Sequence, residues 1–132
     1  LAAGYGGVMN VLGSQFVTSE EALRPVLKTL RSRGLMYVDN GLVPGSKVAP
    51  IARAIGLPWA RSNMVIDAEA SRTGINRQLR ALELRAQQGQ AAIGIAEPYP
   101  VTIRQISTWL PTLASKKLVL APASAVARVG AN

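Results

Sequence analysis

Apolar residues along this chain follow two alternating rhythms, short unbroken runs and longer stretches with a three-or-four-residue spacing. Gly7-Val8-Met9-Asn10-Val11-Leu12 reads as a short strand running into a Gly-Ser turn. Behind it Leu23, Val26, Leu27 and Leu30 form one stripe of a helix. Thr18 with Glu21 three residues on predicts a capping box at its start, and Gly34 is its expected stop. Arg31 and Arg33 then fall in its last turn, where cations suit the helix dipole, and Pro25 falls early enough to be tolerated. Residues 35–38 form a second strand, closed by Asp39-Asn40-Gly41. Ser46 is the expected cap of a short helix through Val48, Ile51, Ala52 and Ile55, ended by Gly56. Met64-Val65-Ile66 is a brief strand before Asp67, and residues 72–88 form the longest helix, with Ile75, Leu79, Leu82 and Ala86 on one face. A fourth strand over 91–96 precedes Glu97-Pro98, and a helix over 102–116 is expected to bend at Pro111. Leu118-Val119-Leu120 reads as a last strand, and residues 127–132 as a flexible tail.

Strands apolar on both faces and separated by helices imply α/β architecture, with parallel strands, outer helices and right-handed crossovers. A closed barrel of this kind needs about 200–250 residues, so five strands leave two forms open. One is an open doubly wound sheet; the other is a partial (β/α) barrel with its N-terminal strands missing. The start at Leu1 rather than Met carries the expectation that residues 1–132 are the C-terminal part of a longer domain, any export signal lying upstream. A barrel cut this way exposes a strand edge, so a homo-oligomer through that edge is expected.

Composition narrows the chemistry. With 48% hydrophobic and 17% charged residues the chain can build a core, and no apolar run approaches the roughly 18 residues of a membrane span. Fifteen basic against seven acidic residues give +8. The basic residues are scattered over several segments without a block of five, and aromatics reach only 5%, too few for base stacking. They read as solvated helix faces rather than a nucleic-acid footprint. Cysteine and histidine are both absent, which excludes disulfides, thiolate metal sites, Ser-His-Asp and Cys-His nucleophiles and histidine-bound zinc. What remains is all-oxygen ligation of a hard cation, or a carboxylate pair acting as acid and base.

The acids are placed unevenly. Glu20, Glu21 and Glu83 lie on predicted helices, whereas Asp39, Asp67, Glu69 and Glu97 follow predicted strands, on the face where parallel α/β folds build their sites. Asn10 and Ser14 fall at the same level. Asp39 and Glu97 are therefore the candidate catalytic carboxylates, with Asn10, Ser14 and Asp67 as candidate substrate-binding residues; no metal ligands are assigned. Each has a plainer alternative: Asp39-Asn40-Gly41 is a good turn, and Asp67 with Glu69 suits the start of the next helix. Glu97, before Pro98, has no such capping task. Gly4-Tyr5-Gly6-Gly7 precedes a strand instead of following one, so it is not a phosphate loop. Trp59 and Trp109 are either sugar-stacking platforms or packed core, the latter being commoner for aromatics.

Several segments carry a resemblance. Gly7-Val8-Met9-Asn10-Val11-Leu12-Gly13-Ser14, Arg33-Gly34-Leu35-Met36-Tyr37-Val38-Asp39, Ile55-Gly56-Leu57-Pro58, Val65-Ile66-Asp67, Ala92-Ile93-Gly94-Ile95-Ala96 and Leu118-Val119-Leu120-Ala121-Pro122 together resemble the divergent polysaccharide deacetylases, in order and over nearly the whole chain. The resemblance implies a deformed (β/α) barrel related to carbohydrate esterases that remove N-acetyl groups with a metal-activated water. It also implies carbohydrate metabolism, a periplasmic or cell-envelope setting and a glycan partner. In that superfamily two adjacent aspartates near the N-terminus supply base and metal ligand, and no such pair occurs here. An Asn-His step of the family reads Asn10-Val11, and a His before Pro reads Glu97-Pro98. A divalent metal thus requires ligands upstream of Leu1, and the site of this chain is degenerate. The alternative expectation is a non-catalytic scaffold that binds a glycan or a protein.

Overall fold

The computed structural model describes residues 7–10 and 14–129. The Gly4-Tyr5-Gly6 stretch and the expected strand end at Val11 and Leu12 lie outside them. The chain divides into two compact units, Leu1–Arg61 with Pro122–Asn132, and Ser62–Ala121.

In the first unit, strands β1 (Gly7–Met9), β2 (Met36–Asp39) and β3 (Trp59–Arg61) lie parallel in that order. Helices α1 (Ser14–Thr18), α2 (Glu20–Ser32) and α3 (Val48–Ile55) connect them. Helix α2 buries Leu23, Leu27 and Leu30, spaced to share one face. Its cap is Ser19, whose hydroxyl accepts from the Ala22 N–H at 3.3 Å, and not the expected Thr18. Thr18 instead ends α1, its hydroxyl donating to the Ser14 carbonyl at 2.8 Å. The apolar pattern carries no signal for α1, whose last residue is Thr18, so the cap of α2 falls one residue later than expected.

Helices α2 and α3 end alike. Gly34 and Gly56 adopt φ of 69° and 70°, where a Cβ is strained, and the next residue donates back across the turn. Those bonds are Leu35 N–H to Leu30 at 3.0 Å and Leu57 N–H to Ala52 at 2.9 Å. The chain then reverses into a strand. Register places Tyr37 beside Trp59, so both project from the same face of the sheet. That face packs on Leu23, Leu27 and Leu30 of α2 and on Val48, Ile51 and Ala52 of α3. Strand β3 was not expected from the sequence: Trp59-Ala60-Arg61 is too short, between Pro58 and Ser62, to show a rhythm.

The second unit holds β4 (Met64–Val65), α4 (Arg72–Gln87), β5 (Gly94–Ile95) and α5 (Pro100–Trp109). Strands β4 and β5 pair in parallel. Ile66, Ile75 and Leu79 form the core, with Leu82, Val101, Ile106 and Trp109 against it. Gly94 is required by proximity, since a Cβ there would stand 2.7 Å from Ile66 Cδ1. The expected helix over 102–116 starts earlier, with Pro100 in its first turn, and gives way at Leu110–Thr112 and Ala114–Lys116 to tighter 3₁₀ turns around Pro111. Trp109 is half-buried, and its indole N–H donates to Glu83 Oε1 at 2.6 Å, as does Lys116 Nζ at 2.6 Å. Burial raises the Glu83 carboxyl pKa, but the hydrogen bonds from Lys116 and Trp109 and the charges of Lys116 and Arg80 outweigh it and hold the group below its ordinary value.

Residues 118–120 do not form the expected strand. Val119 is 87% and Leu120 72% exposed, and no described strand pairs with them. An apolar run becomes a strand only where a neighbour accepts its backbone groups. The described residues thus form a mixed α/β structure with parallel strands, neither sheet closing into a barrel. Among them no helix is long and apolar enough to cross a membrane.

Candidate functional site

Each unit gathers polar side chains where its parallel strands end. In the first, Asp39 closes β2 and has no exposed surface. Its Oδ1 accepts from the Gly41 N–H at 3.1 Å. Its Oδ2 accepts from Ser46 Oγ at 2.8 Å and from Arg61 Nε and Nη2 at 3.2 and 3.0 Å. A buried carboxylate requires such compensation, and Arg61, at the end of β3 opposite Asp39 in register, provides it. The turn expected at Asp39-Asn40-Gly41 forms, with Asn40 Oδ1 accepting from the Leu42 N–H at 3.0 Å. Ser46 serves twice, holding Asp39 and accepting from the Val48 N–H at 3.3 Å, although the residue directly before α3 is Lys47.

Asn10 follows β1 and is brought to the same cluster: its Oδ1 accepts from the Asn40 N–H at 3.1 Å. Its Nδ2 is buried without a partner among the described residues. Ser14 starts α1 and is exposed. On the helix-packed face, Tyr37 lies two residues before Asp39; burial, and then the Asp39 charge, push its hydroxyl up to about 12. Trp59 is 4% exposed, which removes it as a sugar platform.

In the second unit Asp67 and Glu97 meet. Asp67, 5% exposed, accepts from the Glu97 N–H at 2.9 Å and from Thr102 Oγ1 at 2.8 Å, both through Oδ2. The Glu97 backbone is thereby fixed while its side chain stays exposed. Thr102 lies in the first turn of α5 and is itself buried, so Asp67 also sets its negative charge near a helix N-terminus. Glu69 takes the expected role at the start of α4, accepting from Ser71 Oγ at 2.8 Å, while Ser71 caps the Gly74 N–H at 3.0 Å. Among the described residues no three Asp, Glu, His or Cys side chains converge as a metal site would require.

Sequence reasoning missed Arg61 and Thr102. A signal for Arg61 was present in a repeated phrase, Gly34-Leu35-Met36-Tyr37 and Gly56-Leu57-Pro58-Trp59. Both phrases lead from helix to strand, and two residues beyond each aromatic stand Asp39 and Arg61. Thr102 offered no comparable signal, because its partner is 35 residues away.

Comparison with known proteins fits this architecture. A search of curated proteins finds no match. Among solved structures, the chain is similar to the uncharacterized protein ATU2773 from Agrobacterium tumefaciens C58, with a TM-score of 0.88 and 35% identity. The similarity covers 92% of this chain and 50% of that one, so the chain spans about half the length of that relative. The family model of the divergent polysaccharide deacetylases matches residues 2–127, and the chain belongs to that family.

Proposed function

We propose that this chain is part of a polysaccharide deacetylase-like domain of carbohydrate metabolism that acts on an N-acetylated glycan of the cell envelope. The observation that supports this most, beside family membership, is the Asp67–Glu97 arrangement at the ends of β4 and β5. A buried carboxylate fixes the backbone of an exposed one, leaving Glu97 free to accept a proton or a sugar hydrogen bond. In this reading Glu97 is the reactive carboxylate and Asp67 its positioning residue. In the first unit Asp39 orients Arg61 and Asn10 holds the Asn40 backbone, while the exposed Ser14 is the group offered to a glycan. The partial barrel read from the sequence belongs to the same proposal.

The metal-activated water of the wider superfamily finds no complete ligand set among the described residues. No three donor side chains converge among the described residues, and the Asp39 oxygens are engaged by Arg61, Ser46 and the Gly41 N–H. The described residues do not fit a metal by themselves.

The test is acetate release from N-acetylglucosamine oligomers, with oligomer binding measured in parallel. Glu97→Gln is expected to lower turnover about a hundredfold with little change in binding. Equal turnover in wild type and Glu97→Gln would remove Glu97 from the chemistry. The engaged oxygens of Asp39 favour a second reading, a glycan-binding module without catalysis. It predicts oligomer binding with no acetate released.

A further inference from the structure

Three arginines from three parts of the first unit surround one buried indole. The guanidinium carbons of Arg53, Arg61 and Arg128 lie 5.5, 5.8 and 5.9 Å from the centre of the Trp59 ring. Arg53 comes from the last turn of α3, Arg61 from the end of β3, and Arg128 from the C-terminal segment. Attraction to the ring face accounts for how each is held. It does not account for collecting three like charges that must all lie within about 12 Å of one another, close to the distance over which salt screens them.

Their compensation is incomplete. The unit's acids are Glu20, Glu21 and Asp39, and only Asp39 is bonded to one of the three arginines. Glu20 pairs with Arg24. Among the described residues Arg53 and Arg128 form no ion pair. Two of the three are also held in place by hydrogen bonds. Asp39 orients the Arg61 fork, and the Arg128 backbone is tied to Trp59 by two hydrogen bonds, 2.9 Å from the Trp59 N–H and 2.7 Å to the Trp59 carbonyl.

We propose that Arg53, Arg61 and Arg128 around Trp59 form a binding site for an oxyanion with two or more oxygens, the chemistry shared by phosphate and by the carboxylate of an acidic sugar. Guanidinium forks match such groups by paired hydrogen bonds, and planar arginines held against a ring keep their outer N–H groups available. The site is independent of whether Glu97 is catalytic.

Trp59 supplies its own reporter, because the chain has only two tryptophans. In ¹⁵N-labelled protein the two indole N–H signals are assigned with Trp109→Phe and followed during titration with inorganic phosphate, an oligogalacturonate and, as a neutral control, an N-acetylglucosamine oligomer. The expected result is a saturable shift of the Trp59 signal with an anion, while the Trp109 signal stays in place. Tighter binding of the oligogalacturonate would assign the site to acidic glycans, and tighter binding of phosphate to a phosphate group. Arg53→Gln and Arg128→Gln, both exposed and outside the core, are each expected to weaken that binding about tenfold. An unmoved Trp59 signal with both anions would overturn the proposal. So would unchanged affinity in both variants, or an equal shift with the neutral oligomer.

Discussion

A carboxylate with no exposed surface and one cationic partner is a sensitive point, and Asp39 with Arg61 is such a pair. Arg61→Ala leaves that charge buried without its cationic partner, and is expected to cost about 3 kcal/mol in urea unfolding. Tyr37 acts in the opposite sense, since its hydroxyl is buried with no partner among the described residues. Tyr37→Phe removes an unsatisfied group and is expected to leave stability at pH 7 unchanged or higher by up to about 1 kcal/mol. The same variant has a pH signature. The folded state holds the Tyr37 proton more tightly, with its pKa raised from 10.0 to about 12. Its contribution is therefore complete below about pH 10 and is lost as pH rises through the folded value. Thermal unfolding of wild type is expected to weaken across that window by an amount that Tyr37→Phe lacks. Asp39 itself was legible as a rim residue because it directly follows an apolar run. Its saturation by Arg61 was not, because that depends on the register of two strands 22 residues apart.

Helix ends were the most legible elements. Gly34 and Gly56 stop helices as read from the sequence, because the signal is local to a few residues, and they share positive φ with Gly89 after α4. A fourth turn of the same kind carries Lys117 at φ 58°, with Leu118 donating to Leu113 at 3.0 Å. A lysine is strained there, and Lys117→Gly is expected to raise stability by about 0.5 to 1 kcal/mol in thermal unfolding. Strands were less legible. Residues 118–120 have the composition of a strand and no partner among the described residues, whereas Trp59-Ala60-Arg61 has no rhythm and is paired with β2 on one edge and Arg128 on the other. Pairing decides the outcome for runs this short, and pairing is not written in the run itself.

For the whole molecule, parallel strand order followed from the helices between strands, since a reversal of direction needs no such crossover. The division into two units was not legible, because no run of glycine or proline marks a linker at Arg61-Ser62. Within the first unit, β1 is paired on one edge only among the described residues, and Val8 and Met9 on it are 40% and 42% exposed. An apolar strand edge of this kind recruits another strand. We expect the 132-residue chain to associate with itself as concentration rises, seen as a shift in sedimentation; a single monomeric species across the range would count against it. The opposite margin has a different fate. Arg128 covers β3 by exchanging both backbone bonds with Trp59, inside a stretch that reads from sequence as tail. Trimming the polypeptide back to Val126 would therefore uncap a tryptophan whose ring is locked in the interior, handing one amide and one carbonyl to water or to a stray peptide.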